Sequence, residues 1–101
     1  MATVRRSAKA EADLQAILQT LEQSSPAVAD RYANEFQIKS CALAKFPELG
    51  RLRPEIAHGI HSTLVRPYVV FYRIQGDDVQ ILRILHGRQD LRRIMKDEGR
   101  E

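Results

Sequence analysis

The amino-acid sequence predicts an α+β fold in which two helices pack on a β-sheet built mostly from the second half of the chain. In residues 8–45, apolar side chains recur at helical spacing on both sides of a single break at Ser24-Ser25-Pro26. Further on, Tyr68–Ile74 and Val79–His86 are rich in Val, Ile, Leu, Phe and Tyr and flank the turn-forming residues 75–78. The length of 101 residues fits a modest core, so we expect a single domain over residues 1–101.

The first half of the chain predicts a short strand followed by an antiparallel pair of helices. Thr3–Arg6 suits a strand, and Ser7 suits the N-cap of a helix over about residues 8–23. Ser25 caps a second helix that begins with Pro26, whose missing N–H costs nothing there, and that ends near residue 45. The stripes expected to face the core are Ala10, Leu14, Ile17, Leu18 and Leu21 in the first helix and Ala29, Tyr32, Phe36, Ser40 and Leu43 in the second.

The two apolar runs of the second half predict a β-hairpin whose central turn residues are a glycine and an aspartate at 76 and 77. Tyr72 then lies opposite Ile81, and Phe71 lies opposite Leu82. This register places Val69, Phe71, Leu82 and Ile84 on one face of the sheet. It places Tyr68, Val70, Tyr72, Ile74, Val79, Ile81, Arg83 and Leu85 on the other.

Both faces of the predicted hairpin are apolar, and each therefore needs a cover. We expect the helical pair to cover the face that carries Val69 and Phe71. The other face, which carries Tyr68 and Tyr72, is left either to the short segment after Asp90 or to a partner protein. The sequence leaves both alternatives open.

The segments around the hairpin complete the predicted order of elements. The helical half ends at Pro47–Gly50, because proline disfavours helix in the preceding residue and glycine permits a sharp bend. Ile60–Val65 predicts a further strand that ends before Pro67, which lacks a backbone donor. After the hairpin, Asp90 caps a short final helix over about residues 91–96.

Positive charge is concentrated in the second half of the chain. The formal net charge is +3, from 16 Lys and Arg against 13 Asp and Glu. Between Arg51 and Met95 there are eight arginines, no lysine and four acidic residues. Arginine favours planar, bidentate contacts, so phosphate and carboxylate are both candidate partners. The alternative is a basic surface that only keeps the protein in solution.

Several function classes find no support in the sequence. Cys41 is the single cysteine, which excludes an intrachain disulfide and favours a reducing compartment. His58 and His61 are spaced so that they point to opposite sides of an extended segment, and we expect neither a metal site nor a cofactor. The sequence shows no apolar signal core and no run of roughly 20 apolar residues, so we expect no membrane contact and a cytoplasmic location.

Short motifs are spread over nearly the whole chain. They are an opening strand with Ala12-Asp13-Leu14 on the first helix, Pro47 with Gly50-Arg51, Arg53-Pro54-Glu55, the strand Val70-Phe71-Tyr72-Arg73, and Leu85-His86-Gly87-Arg88 followed by Asp90-Leu91. In this order and spacing they resemble the ParE toxins of the RelE/ParE superfamily, the toxin half of bacterial type II toxin-antitoxin pairs. The resemblance implies a strand, a helical hairpin packed on an antiparallel β-sheet, and a short C-terminal helix.

The resemblance also implies function by recognition, without enzymatic activity. A ParD-type antitoxin would wrap the toxin in a hetero-oligomer, and the free toxin would inhibit DNA gyrase and arrest growth, as in plasmid stabilisation. Sequence-specific binding to nucleic acid would belong to the antitoxin. The residues expected to bind antitoxin are Tyr68, Val70, Tyr72, Arg73, Ile81 and Arg83. Those expected to face the target are Arg51, Arg53, His86, Arg88, Asp90, Arg92 and Arg93.

Two alternative functions remain open. RelE-like toxins of the same superfamily cleave mRNA on the ribosome, which requires basic residues near the phosphate and a group that transfers protons. Arg51, Arg53, Arg66, Arg83, His86 and Arg88 could meet that need. However, no lysine lies between Lys45 and Lys96, and Asp90-Leu91 stands where such nucleases often place a tyrosine. The other alternative is a non-toxic interaction module.

Overall fold

A computed structural model of the chain describes residues 2–96. Within this part the elements are β1 (Val4–Arg6), α1 (Ala8–Ser24), α2 (Pro26–Lys45), β2 (Arg51–Leu52), β3 (Ile60–Val65), β4 (Tyr68–Gln75), β5 (Asp78–His86) and α3 (Leu91–Met95). The predicted α+β fold, with a helical pair on a sheet and a short C-terminal helix, is confirmed.

The strands form one mixed sheet in the order β1-β5-β4-β3-β2. Neighbouring strands are antiparallel, except that β1 runs parallel to β5 with Val4 opposite Val79. The antiparallel sheet expected from the sequence is thus extended at one edge by a parallel strand. The other edge is β2, whose two residues are too few for hydrophobic periodicity to reveal.

Both long helices begin at the predicted caps. The Ser7 hydroxyl accepts the Ala10 N–H at 3.0 Å, and the Ser25 hydroxyl accepts the Val28 N–H at 3.3 Å. Pro26 occupies the first turn of α2. These contacts satisfy backbone donors that have no partner inside the helix, which is why sequence reasoning located the two helix starts correctly.

The β4–β5 hairpin follows the predicted register only near its turn. The turn glycine has a φ of +60°, and Tyr72 lies opposite Ile81 as predicted. Beyond this pair the register shifts at a β-bulge, so that Arg83 lies opposite Phe71. The predicted pairing of Phe71 with Leu82 is therefore wrong.

Two side chains from the beginning of α1 satisfy backbone groups at the bulge. The Ser7 hydroxyl donates to the Leu82 carbonyl at 2.9 Å, and an Asp13 carboxylate oxygen accepts the Ile84 N–H at 3.0 Å. Because the bulge adds one residue, Ile84 turns toward the helices and Leu85 turns away from them. The sequence prediction instead grouped Ile84 with Val69 and Phe71, and Leu85 with Tyr68 and Tyr72.

The helices cover the face of the sheet opposite to the one predicted. Under α1 and α2 lie Tyr68, Val70, Tyr72, Ile74, Val79, Ile81 and Ile84, packed with Ala10, Phe36 and Leu43. Hydrophobicity could not choose between two apolar faces. The position of α1 is fixed by Ser7, whose backbone N–H and hydroxyl bond the carbonyls of Ile81 and Leu82 on β5.

The C-terminal segment covers the second face, which was one of the two alternatives. Leu91, Ile94 and the fully buried Met95 pack with Ile60, Val69, Phe71 and Leu85. An Asp90 carboxylate oxygen accepts the Arg93 N–H at 3.3 Å, which confirms the predicted cap of α3. Of the helices in residues 2–96, none has the length and apolarity that crossing a membrane requires.

Candidate functional site

Most of the apolar residues predicted to bind an antitoxin lie in the core. Val70, Tyr72 and Ile81 are at most 3% exposed and are covered by α1 and α2. Tyr68 is half-buried, and its ring meets the Tyr32 ring edge-on with 5.7 Å between centroids. The prediction that Val70, Tyr72 and Ile81 face a partner is therefore wrong, because it followed from the reversed assignment of the two faces. For the partly exposed Tyr68 it stays a prediction.

The two arginines of that predicted set also have contacts within the chain. The Arg83 guanidinium forms a bidentate pair with Asp13, at 2.8 Å through Nε and 2.9 Å through Nη2. Arg73 donates to the His58 carbonyl at 3.5 Å. The Arg83–Asp13 pair therefore links β5 to α1. This gives Asp13 of the Ala12-Asp13-Leu14 motif a structural role.

Tyr72 fixes the segment that joins α2 to β2. Its hydroxyl donates to the Pro47 carbonyl and accepts the Gly50 N–H, each at 2.8 Å. A Cβ at Gly50 would lie 2.8 Å from the Tyr72 hydroxyl and would collide with the Ser62 carbonyl, so only glycine fits. Burial raises the pKa of the Tyr72 hydroxyl. The Pro47 and Gly50-Arg51 motif thus belongs to the scaffold.

Arg53, predicted to face a target, is largely engaged within the fold. It donates to the Ser62 hydroxyl at 3.0 Å and to Glu55 at 2.6 Å, and its guanidinium lies 5.8 Å from the centre of the Phe71 ring. The hydrogen bond from Arg53 lowers the pKa of the Glu55 carboxyl. Arg51, by contrast, is exposed on β2.

His86 and Arg88 lie at one end of the sheet, beside the turn between β3 and β4. The Gly87 N–H donates to the carbonyl of Pro67, the residue after Arg66, at 2.9 Å. His86 Nδ1 accepts the Arg88 backbone N–H at 3.1 Å, so the neutral ring carries its proton on Nε2. We name Arg66, His86 and Arg88 the basic end. Of the other predicted target residues, Arg92 and Arg93 are exposed on α3, whereas Asp90 caps that helix.

An open groove runs between α2 and the outer edge of β3. Its two adjoining hollows, of about 510 and 420 Å³, share Lys39 and Leu64. Ile38 is 60% exposed, Leu49 49% and Leu64 45%. The basic side chains that line it are Arg31, Lys39, Arg51, Arg53 and Arg66, and Glu35 is the acidic one among the lining residues.

Sequence reasoning missed this groove for a physical reason. Ile38 interrupts the polar side of α2 two residues after the buried Phe36, which is a weak signal in a helix read for its core stripe. Leu64 lies in a strand whose residues point alternately to the two faces of the sheet. It is exposed because β2 pairs only with His61 and Ser62 of β3. In residues 2–96, no group of three or more His, Cys, Asp and Glu is placed to hold a metal ion.

Comparison with known proteins places this geometry among toxins. Residues 4–91 match the family model described as ParE toxin of type II toxin-antitoxin system, parDE. Toxin ParE3 from Caulobacter vibrioides (strain ATCC 19089 / CIP 103742 / CB 15) is 36% identical over 92 residues, which cover 90% of this chain and 92% of the relative. Toxin RelE2 from the same strain is 37% identical over 86 residues, covering 85% and 96%.

A solved structure has the same fold. A chain in the structure of the chromosomal ParDE TA system from P. aeruginosa superposes with a TM-score of 0.71 and 29% sequence identity. The match covers 85% of this chain and 96% of that one. The fold is therefore shared with a chain of a toxin–antitoxin system.

Proposed function

The chain belongs to the ParE toxins of type II toxin-antitoxin systems, and from that premise we propose that it inhibits DNA gyrase by binding and is neutralised by a ParD-type antitoxin. The family assignment made from the sequence motifs is thereby confirmed. Toxin and antitoxin would form a hetero-oligomer in the cytoplasm, where gyrase acts. Release of the toxin would arrest growth, and a plasmid that encodes the pair would be stabilised.

The observation that carries the antitoxin proposal is the groove between α2 and β3. Ile38, Leu49 and Leu64 expose about half or more of their surface there, and exposed apolar side chains grouped in a groove mark a protein-binding site. The basic side chains around them favour an acidic partner. An amphipathic antitoxin segment would therefore bury its apolar side against the groove and direct carboxylates to Lys39 and Arg66.

The basic end is the surface that we propose for the target. Arg66 lines the groove and directly precedes Pro67, whose carbonyl accepts the Gly87 N–H, so the two proposed surfaces adjoin. An antitoxin in the groove would reach the edge of the target-facing surface. Neutralisation can then follow from direct occlusion, with no conformational change in the toxin.

A single assay of the purified chain tests the proposal. Supercoiling and accumulation of cleaved DNA by gyrase are measured beside mRNA cleavage on translating ribosomes. We expect gyrase inhibition with intact message, relieved by the ParD-type antitoxin. Arg88→Glu should weaken inhibition, whereas Arg5→Glu, an exposed arginine on β1 at the other edge of the sheet, should not. Normal gyrase activity at saturating toxin would contradict the proposal.

Ribosome-dependent mRNA cleavage is the second candidate function. It is favoured by the likeness to Toxin RelE2 and by the contact of His86 with the backbone of Arg88. Against it, His86 Nδ1 already accepts a backbone N–H, which leaves Nε2 as the donor of a neutral ring. Cleavage of message in the same assay, abolished by His86→Gln, would establish this candidate in place of gyrase inhibition. Normal growth on expression without antitoxin would instead indicate a non-toxic interaction module.

A further inference from the structure

The outer edge of β3 is only partly covered by its neighbour. β2 pairs Arg51 with Ser62 and Leu52 with His61, and it extends no further along β3. β3 itself continues to Val65. The last part of β3 is therefore an open edge, and it lies next to the groove that also contains Ile38 and Lys39.

The hydrogen-bond pattern identifies which backbone groups point outward at this edge. The Arg53 N–H donates to the Ile60 carbonyl at 2.8 Å, so the backbone groups of Ile60 face away from β4. Outward and inward residues alternate along an antiparallel strand, so Ser62 and Leu64 also face outward. Ser62 is opposite Arg51, whereas the N–H and C=O of Leu64 meet no strand within residues 2–96.

The next outward-facing carbonyl along the chain, that of Arg66, already accepts a hydrogen bond, so Leu64 is the position whose backbone groups are left open at this edge. The Arg66 carbonyl accepts the Tyr32 hydroxyl at 3.1 Å, at the point where β3 turns into β4. Natural sheets usually blunt an exposed edge with charge, proline or a covering segment. Here the edge residue is instead a leucine with 45% of its surface exposed.

We propose that the antitoxin adds a short extended segment to the edge of β3, pairing with the backbone N–H and C=O of Leu64. This inference rests on the proposed antitoxin partner and specifies how it binds. In such a strand, the residue opposite Leu64 lies on the same side of the sheet as that side chain and would be apolar. Its two neighbours point to the α2 side, where an apolar residue would meet Ile38 and a carboxylate would meet Lys39.

Two substitutions at one position separate the backbone from the side chain. Leu64→Pro removes the side chain and the N–H, and Leu64→Ala removes most of the side chain only. Because the N–H of Leu64 pairs with no strand of the toxin's own sheet within residues 2–96, we expect proline to be tolerated there, as it is on edge strands. We expect the Kd for the cognate ParD-type antitoxin to be roughly tenfold higher for Leu64→Pro than for Leu64→Ala.

Amide hydrogen exchange of the wild-type complex provides a measurement that does not depend on the proline variant folding. The Leu64 amide should exchange rapidly in the free toxin and become protected by at least about tenfold when antitoxin binds. Equal affinity of the two variants together with an unprotected Leu64 amide would overturn strand addition and indicate a docked helix. Failure of the wild-type chain to bind the antitoxin would overturn the proposed function itself.

Discussion

Replacing Tyr72 with phenylalanine tests the central structural assignment, that this residue holds the scaffold and does not bind a partner. The ring is fully buried, and phenylalanine preserves its packing among the apolar side chains under the helices. What is lost is the hydroxyl, which donates to Pro47 and accepts from Gly50. The substitution therefore isolates two hydrogen bonds.

The loss of stability in Tyr72→Phe comes from the two lost hydrogen bonds and from the two backbone groups that they leave without a partner. Each is worth about 1 kcal/mol net, and a donor or acceptor left without a partner adds to the loss. The Gly50 N–H and the Pro47 carbonyl lie beside the buried Tyr72 ring, where water replaces the hydroxyl poorly. We expect the free energy of unfolding to fall by about 2–3 kcal/mol. For a domain of this size, that lowers Tm by about 10–20 °C.

Thermal and urea unfolding of the purified chain measure this change. Tyr68→Phe is the matched control, because its hydroxyl has no hydrogen-bond partner among residues 2–96 in the structure, and it should change stability by less than about 0.5 kcal/mol. Amide exchange at Gly50 should accelerate in Tyr72→Phe only. A loss below about 0.5 kcal/mol in Tyr72→Phe would refute the assignment, since the hydroxyl would then contribute nothing to the Pro47–Gly50 segment.

Three further predictions address the bulge, the pH dependence of stability and the groove. Asp13→Ala should lower the free energy of unfolding by about 2 kcal/mol in urea titration, because Arg83 and the Ile84 N–H lose the Asp13 carboxylate as acceptor. The stability of Asp13→Asn should lie between those of the wild type and Asp13→Ala, and wild-type stability in Asp13→Ala would contradict this role. Burial raises the pKa of Tyr72 above 10.0, so the unfolded tyrosine ionises first and stability should fall as pH rises above about 10; equally steep loss in Tyr72→Phe would show that another group is responsible. Ile38→Glu should weaken antitoxin binding at least about tenfold by calorimetry, whereas Gln37→Glu adds the same charge to α2 outside the groove and should not; equal effects would remove the groove from the interface.

Local chemistry in the sequence was sufficient to predict the helices, their caps and most strands. Ser7, Ser25 and Asp90 each satisfy backbone donors within a few residues, so their roles can be read from neighbouring positions. The bulge could not be predicted in this way, because it depends on Ser7 and Asp13 reaching residues 70 or more positions away. With the bulge missed, Ile84 was grouped with Val69 and Phe71 instead of Val70 and Tyr72. The choice of face for the helices failed for the same reason, since the hydrogen bonds that decide it join α1 to β5.

The candidate site was harder to predict, because the residues that look chemically equipped are engaged in the fold. Tyr72 and Arg83 have the functional groups that a binding surface needs, yet both form short contacts inside the chain. The side chains that face solvent around the groove, Ile38 and Leu64, are ordinary residues in an amphipathic helix and an alternating strand. They matter because the fold leaves them exposed beside a sheet edge that β2 covers only in part, and this cannot be read from local sequence. If the proposed function by recognition holds, the partner surface is best sought where the fold leaves apolar area exposed and backbone groups without partners, and by that criterion the edge of β3 is the position to test first.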